Sequence, residues 1–119
     1  MRVRAARGAI VVERDEAEAV LSATARLLDE MIRGNGVARE ELVSVLFTAT
    51  EDLRSAFPAE AARRMGLGKV PLLCAREIGV EGSMGRVVRV LMHFHSEVGL
   101  DEVVHVYLDG AESLRDDLD

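Results

Sequence analysis

A chain of 119 residues, 49% apolar and 30% charged, is long enough for one core and too short for two, so residues 1–119 are expected to form a single ordinary globular domain. Its net charge of −6 argues against nucleic acid or an anionic membrane as partner, because both demand a basic face. A lone Cys74 excludes an internal disulfide, and no N-terminal stretch pairs a basic region with an apolar run of signal-peptide length. The expected setting is the reducing cytoplasm.

Val3 to Val12, VRAARGAIVV, is short, apolar and β-branched toward its end, which predicts a strand interrupted by Arg4 and Arg7. Ala17, Val20, Leu21, Thr24, Leu27, Leu28, Met31 and Ile32 then recur on one helical face, so a helix is expected over 16–33. Asp15 is its expected N-cap and Gly34 its C′ stop. Leu42 to Thr50 predicts a buried strand, and Pro58 suits the first turn of a short helix, AEAARRM. Pro71 in VPLLCAREI confines the next strand to a sheet edge or makes it begin at the proline. Arg86 to Phe94 and Glu102 to Leu108 are strongly β-branched and predict two more strands. The acidic end, Leu114 to Asp119, reads as a loosely held tail.

This order predicts an α+β domain, a mixed sheet covered on one face by the long helix. The second face is left open, and an open apolar face calls for oligomerisation.

The basic residues comprise 14 Arg and one Lys, Lys69. Codon bias accounts for the total, so each Arg must be argued from its position. Period-2 alternation in RVVRVLMHF sets Arg89, Leu91, His93 and His95 on one face and Val88, Val90, Met92 and Phe94 on the other. A guanidinium in so apolar a strand needs an acid, Glu77 or Glu102, or an anionic ligand beside it. Arg7 is flanked by Ala6, Gly8 and Ala9, small residues that let a ligand or backbone come close. Taken alone, it is an edge-strand charge. Tyr107 is the only tyrosine, and by itself it reads as a core ring with a satisfied hydroxyl. Glu77 is either a strand-end surface acid or a polar anchor in a cleft.

Together, two to four Arg, a Tyr and a Glu without a nucleophile and base pair fit the binding of a small polycarboxylate that carries a hydroxyl. Cys74 reads as an inert thiol. The His93 and His95 pair could share one strand face as metal ligands do, but with no assured third ligand these, like His105, are ordinary strand histidines, and no metal is expected.

The stretches VRAARGAIVVERD, TATEDLRSAFPAEAAR, VPLLCARE, VVRV and HVYLDGAESLRDDL, in this order, resemble the monofunctional trimeric chorismate mutases of pseudo-α/β-barrel architecture. The resemblance implies a homotrimer with three clefts between subunits and a cofactor-free [3,3] rearrangement of chorismate to prephenate in aromatic amino-acid biosynthesis. It implies that Arg89 donates to the ether oxygen and a nearby carboxylate, and that Arg7 and Tyr107 hold the side-chain carboxylate. Glu77 with Cys74 would meet the ring hydroxyl, with Phe57 and Leu114 as apolar walls. Arg63, reaching with Phe57 from the neighbouring subunit, and Arg115 of the tail would face the ring carboxylate. Ala5 departs from the glycine common in the family, and Asp116 from its proline. Cys74 and Glu77, three apart, would point to opposite faces of a regular strand unless it ends or bulges between them. Two competing readings are a catalytically silent trimer that binds small carboxylates in such clefts and an interaction module whose open sheet face docks a partner protein.

Overall fold

A computed structural model describes residues 1–118, the last three by backbone alone. The elements follow as β1 (Arg2–Val11), α1 (Ala17–Gly34), β2 (Leu42–Ala49), α2 (Ala59–Arg64), β3 (Leu72–Arg76), β4 (Val87–Ser96) and β5 (Val106–Leu108). Short 3-10 turns lie at Arg39–Glu41 and Leu100–Glu102, and a 3-10 helix at Ala111–Leu118. The five strands form one mixed sheet in the order β3-β2-β4-β1-β5. β4 runs antiparallel to both its neighbours, whereas β3 is parallel to β2 and β5 parallel to β1. β3 stands at an edge, as Pro71 requires.

The apolar stripe of α1 explains how the layers join. Val20, Leu27, Leu28 and Met31 are fully buried against Ala6, Ile10, Val45, Phe47, Val88, Val90, Met92 and Phe94, which alternate along three adjoining strands. Thr24 lies in the same stripe, and its hydroxyl donates to the Val20 carbonyl at 2.7 Å, so burial strands no polar group. Gly8 marks the closest approach of helix and sheet. A Cβ there would stand 2.5 Å from Met31 Sδ and 3.1 Å from both Leu27 Cδ1 and the Val106 carbonyl oxygen.

Four expectations differ in detail from the structure. Asp15 does not cap α1: the N-cap is Glu16, which makes no side-chain capping bond. Asp15 Oδ1 instead accepts from Arg54 N, Ser55 N and Ser55 Oγ, at 3.0, 3.1 and 2.6 Å. Gly34 ends α1 from within, Asn35 is the C-cap, and the left-handed residue is Gly36. The last strand is only Val106–Leu108, because Asn35 takes both backbone groups of Val104, accepting from its N–H at 2.8 Å and donating to its carbonyl at 2.9 Å. The expected tail from Leu114 is a 3-10 helix as far as Leu118, and Asp119 lies outside the described residues.

Candidate active site

Cross-strand register builds the open face of the sheet in rows. Tyr107 (β5), Ala9 (β1), Arg89 (β4), Thr48 (β2) and Ala75 (β3) pair in succession to form one row. Arg7, Leu91, Leu46 and Leu73 form the next. Because side chains alternate between faces, all of these point away from α1. Ala9 is a small member of the first row, between Tyr107 and Arg89.

A cavity of about 300 Å³ opens there, lined by Arg7, Gly8, Leu46, Thr48, Glu77, Arg89, Leu91 and Tyr107 among others. Glu77 enters it from just beyond the end of β3, two residues after Ala75 of the same face, with its N–H donating to the Ala49 carbonyl at 3.0 Å. Arg89 Nε meets its carboxylate at 3.1–3.2 Å, and Thr48 Oγ1 donates a short hydrogen bond to Oε2. The Arg89 side chain is 42% exposed and that of Glu77 19%, so the pair is anchored at its acidic end and open at its cationic end. The Arg7 backbone N–H donates to His105 Nδ1 at 2.9 Å, which ties β1 to the segment leading into β5.

The remaining candidates stand around this centre or apart from it. Arg115 places its guanidinium 5.8 Å from the centroid of the Tyr107 ring, at cation–π range. Leu114 packs beside Ala9, Val87, Tyr107 and Ala111. Cys74 pairs with Phe47 in the register, so it points toward α1 and α2, where its sulfur accepts the Ala59 N–H at 3.4 Å. Cys74 and Phe57 line a different cavity of about 420 Å³ at the start of α2, and within one chain they do not meet Glu77. Phe57 is 74% exposed. Arg63 lies on α2 paired with Glu60 at 2.9 Å, outside the cavity of Arg89.

Ser44 Oγ lies 3.2 Å from His93 Nδ1, and His95 is exposed. Thr48 is a polar cavity residue that the strand pattern does not single out, since threonine is at home in any half-buried strand. Only the pairing of β2 with β4 reveals it.

Two carboxylates brace the loop between β2 and α2. The Thr50 hydroxyl holds the Asp52 carboxyl below its ordinary range, and the N–H of Arg86 adds to this. The Ser55 hydroxyl does the same for Asp15, helped by the Arg54 N–H. The Asp52 contacts matter to the site because Arg86 takes a left-handed backbone, φ 54°, immediately before β4 brings in Arg89.

Sequence and fold comparisons give the family. The family described as chorismate mutase type I matches residues 3–118. The chorismate mutase AroH of Thermus thermophilus is 54% identical over 118 residues, covering 98% of this chain and 97% of that protein. Its Bacillus subtilis (strain 168) counterpart is 40% identical over 119 residues, covering 99% and 94%. A solved chorismate mutase from Clostridium thermocellum superposes with a TM-score of 0.90 at 41% identity, over 92% of this chain and 97% of that one. With its mixed five-stranded sheet under one long helix and a match along almost its whole length, the chain belongs to the type I chorismate mutase family.

Proposed function

We propose that this single-domain chain catalyses the rearrangement of chorismate to prephenate by holding the reactive conformer and stabilising charge on the breaking ether bond. One observation carries the mechanism: two arginines, a tyrosine and a glutamate converge on one cavity, and among the described residues its lining has no Ser–His or Cys–His pair. A [3,3] sigmatropic rearrangement has no use for such a pair. One C–O bond breaks as one C–C bond forms within a single molecule, with no proton transfer, no covalent intermediate and no cofactor demanded by the chemistry. A protein can supply a fixed chair-like geometry, and positive charge where the ether oxygen becomes electron-rich.

Each candidate then has a role that its position supports. Arg89, anchored through Nε, donates to the ether oxygen and a neighbouring carboxylate. Tyr107, across Ala9 from it, and Arg7, in the next row on β1, hold the side-chain carboxylate. Glu77 receives the ring hydroxyl, while Leu114 supplies an apolar wall and Arg115 faces the ring carboxylate from the mouth.

Phe57, Arg63 and Cys74 fit the scheme through a homotrimer, in which the α2 side of one subunit meets the open sheet face of the next. Exposure of Phe57 and of Leu73, 61% in the single chain, supports such an assembly. A cytoplasmic setting suits a free thiol, and no helix among the described residues is long and apolar enough to cross a membrane.

The test is to incubate purified protein with chorismate and follow loss of its ultraviolet absorbance with identification of the product. Stoichiometric prephenate is the expected result. Undiminished chorismate, bound but not converted, would leave a carboxylate-binding trimer.

A further inference from the structure

Glu77 is placed by its side-chain contacts more than by its backbone. Beyond the end of β3 one N–H holds the main chain, and three rotatable bonds separate it from the carboxylate. Arg89 alone would not fix that carboxylate usefully. Guanidinium and carboxylate prefer a fork-to-fork, bidentate arrangement of two parallel bonds, which would occupy at least one terminal nitrogen of Arg89. The arrangement observed is different. Arg89 meets Glu77 through Nε, and among the described residues no hydrogen bond engages its terminal nitrogens. The group that holds the carboxylate to this side is Thr48, opposite Arg89 in the register, whose hydroxyl donates to Glu77 Oε2.

We propose that Thr48 is a positioning residue for the rearrangement: its hydroxyl holds the Glu77 carboxylate on Arg89 Nε and so keeps the terminal donors of Arg89 directed into the cavity. The proposal rests on the reading of Arg89 and Glu77 as the pair at the reacting centre. Thr48 acts through Glu77, so removing its hydroxyl matters only while that carboxylate is present.

The variants are Thr48→Val, which keeps the branched shape, and Thr48→Ser, which keeps the hydroxyl, each made alone and with Glu77→Ala. Thr48→Ala serves if the valine variant fails to fold. Steady-state kinetics on chorismate should show kcat about 10- to 100-fold lower for Thr48→Val, the usual consequence of losing a hydrogen bond to a charged group, with a much smaller change in KM. Thr48→Ser should restore most of the rate. In the Glu77→Ala background Thr48→Val should have no further effect, whereas a residue that merely stabilises the strand would lower activity by the same factor in both backgrounds. Crystal structures of the wild type and Thr48→Val should show the carboxylate leaving Nε in the variant.

A wild-type kcat for Thr48→Val, an equal loss in the Glu77→Ala background, or a carboxylate that stays on Nε overturns the proposal. Should the wild-type protein leave chorismate unchanged, the activity reading fails, and the two crystal structures still decide whether Thr48 holds Glu77.

Discussion

For Arg89, an ion pair and the proposed reaction site are not competing descriptions. A guanidinium in an apolar strand must find an anion, and Glu77 supplies it at 3.1 Å, but only Nε is used and the side chain is 42% exposed. A donor already fixed at the ether oxygen stabilises developing charge without reorganising, so its effect falls on the transition state rather than on bound substrate. Arg89→Ala should therefore lower kcat by about 10²- to 10³-fold, the usual loss of one such donor, in a protein that still folds. Arg89→Lys should keep part of the rate, having the charge without the rigid fork. Arg115→Ala, at the mouth, should raise KM chiefly. Steady-state kinetics with circular dichroism on all three variants decides it, and a well-folded Arg89→Ala with near-normal kcat would reduce the pair to a structural one. Period-2 alternation alone was enough to set Arg89, Leu91 and His93 on one sheet face. It could not see that the Asp15 carboxylate would leave its own helix for Ser55, because that contact joins residues 40 apart in the chain.

At the scale of elements, the site depends on how closely α1 presses on β1. Gly8 separates Arg7 from Ala9, and a methyl group there meets Met31 Sδ, which can turn aside, and the Val106 carbonyl, which belongs to the backbone of β5. Gly8→Ala should thus cost about 1–3 kcal/mol of stability, the usual range for overpacking. It should also impair turnover by pushing β5, and Tyr107 with it, away from Arg7. Denaturant unfolding beside kinetics tests this, and unchanged values in both would show that Met31 alone absorbs the methyl.

The loop before α2 adds a pH dependence. Asp15 and Asp52 both have folded-state values below the ordinary 3.8, so the unfolded chain binds protons first as pH falls. Their stabilisation is complete above the ordinary carboxyl range and is lost as pH drops through the lowered folded values. Asp15→Asn with Asp52→Asn, which keeps an acceptor but removes the titration, should flatten the fall in melting temperature below about pH 4. An unchanged slope would place the acid-sensitive groups elsewhere. Long periodic elements such as α1 were legible because their apolar spacing is local. β5 was overextended because Asn35, far away in sequence, satisfies Val104 with a side chain where a strand would have used a neighbour.

For the whole molecule, the open sheet face decides the assembly. Its second row is Arg7, Leu91, Leu46 and Leu73, largely apolar, while α1 occupies the opposite face. An apolar sheet face left to water is unfavourable, and the proposed closed ring of three copies would cover it without leaving an open end. The same packing accounts for residues that one chain keeps apart: Arg7 lines the cavity of Arg89, whereas Arg63 stands with Glu60 on α2. If clefts form between subunits, each takes Arg7 from one copy and Arg63 from the next. Trimers of Arg7→Ala and trimers of Arg63→Ala should each be nearly inactive, since every cleft lacks one cation. After mild dissociation and mixing in equal amounts, random exchange places an intact Arg7 beside an intact Arg63 in about a quarter of the clefts, so activity should return toward that fraction of the wild-type value. Mass measurement under native conditions follows the exchange independently, with one variant isotope-labelled because the two chains otherwise have the same mass. Mixed trimers that form and stay inactive would show that the two arginines do not serve one cleft, and a chain that remains monomeric would remove the shared site altogether.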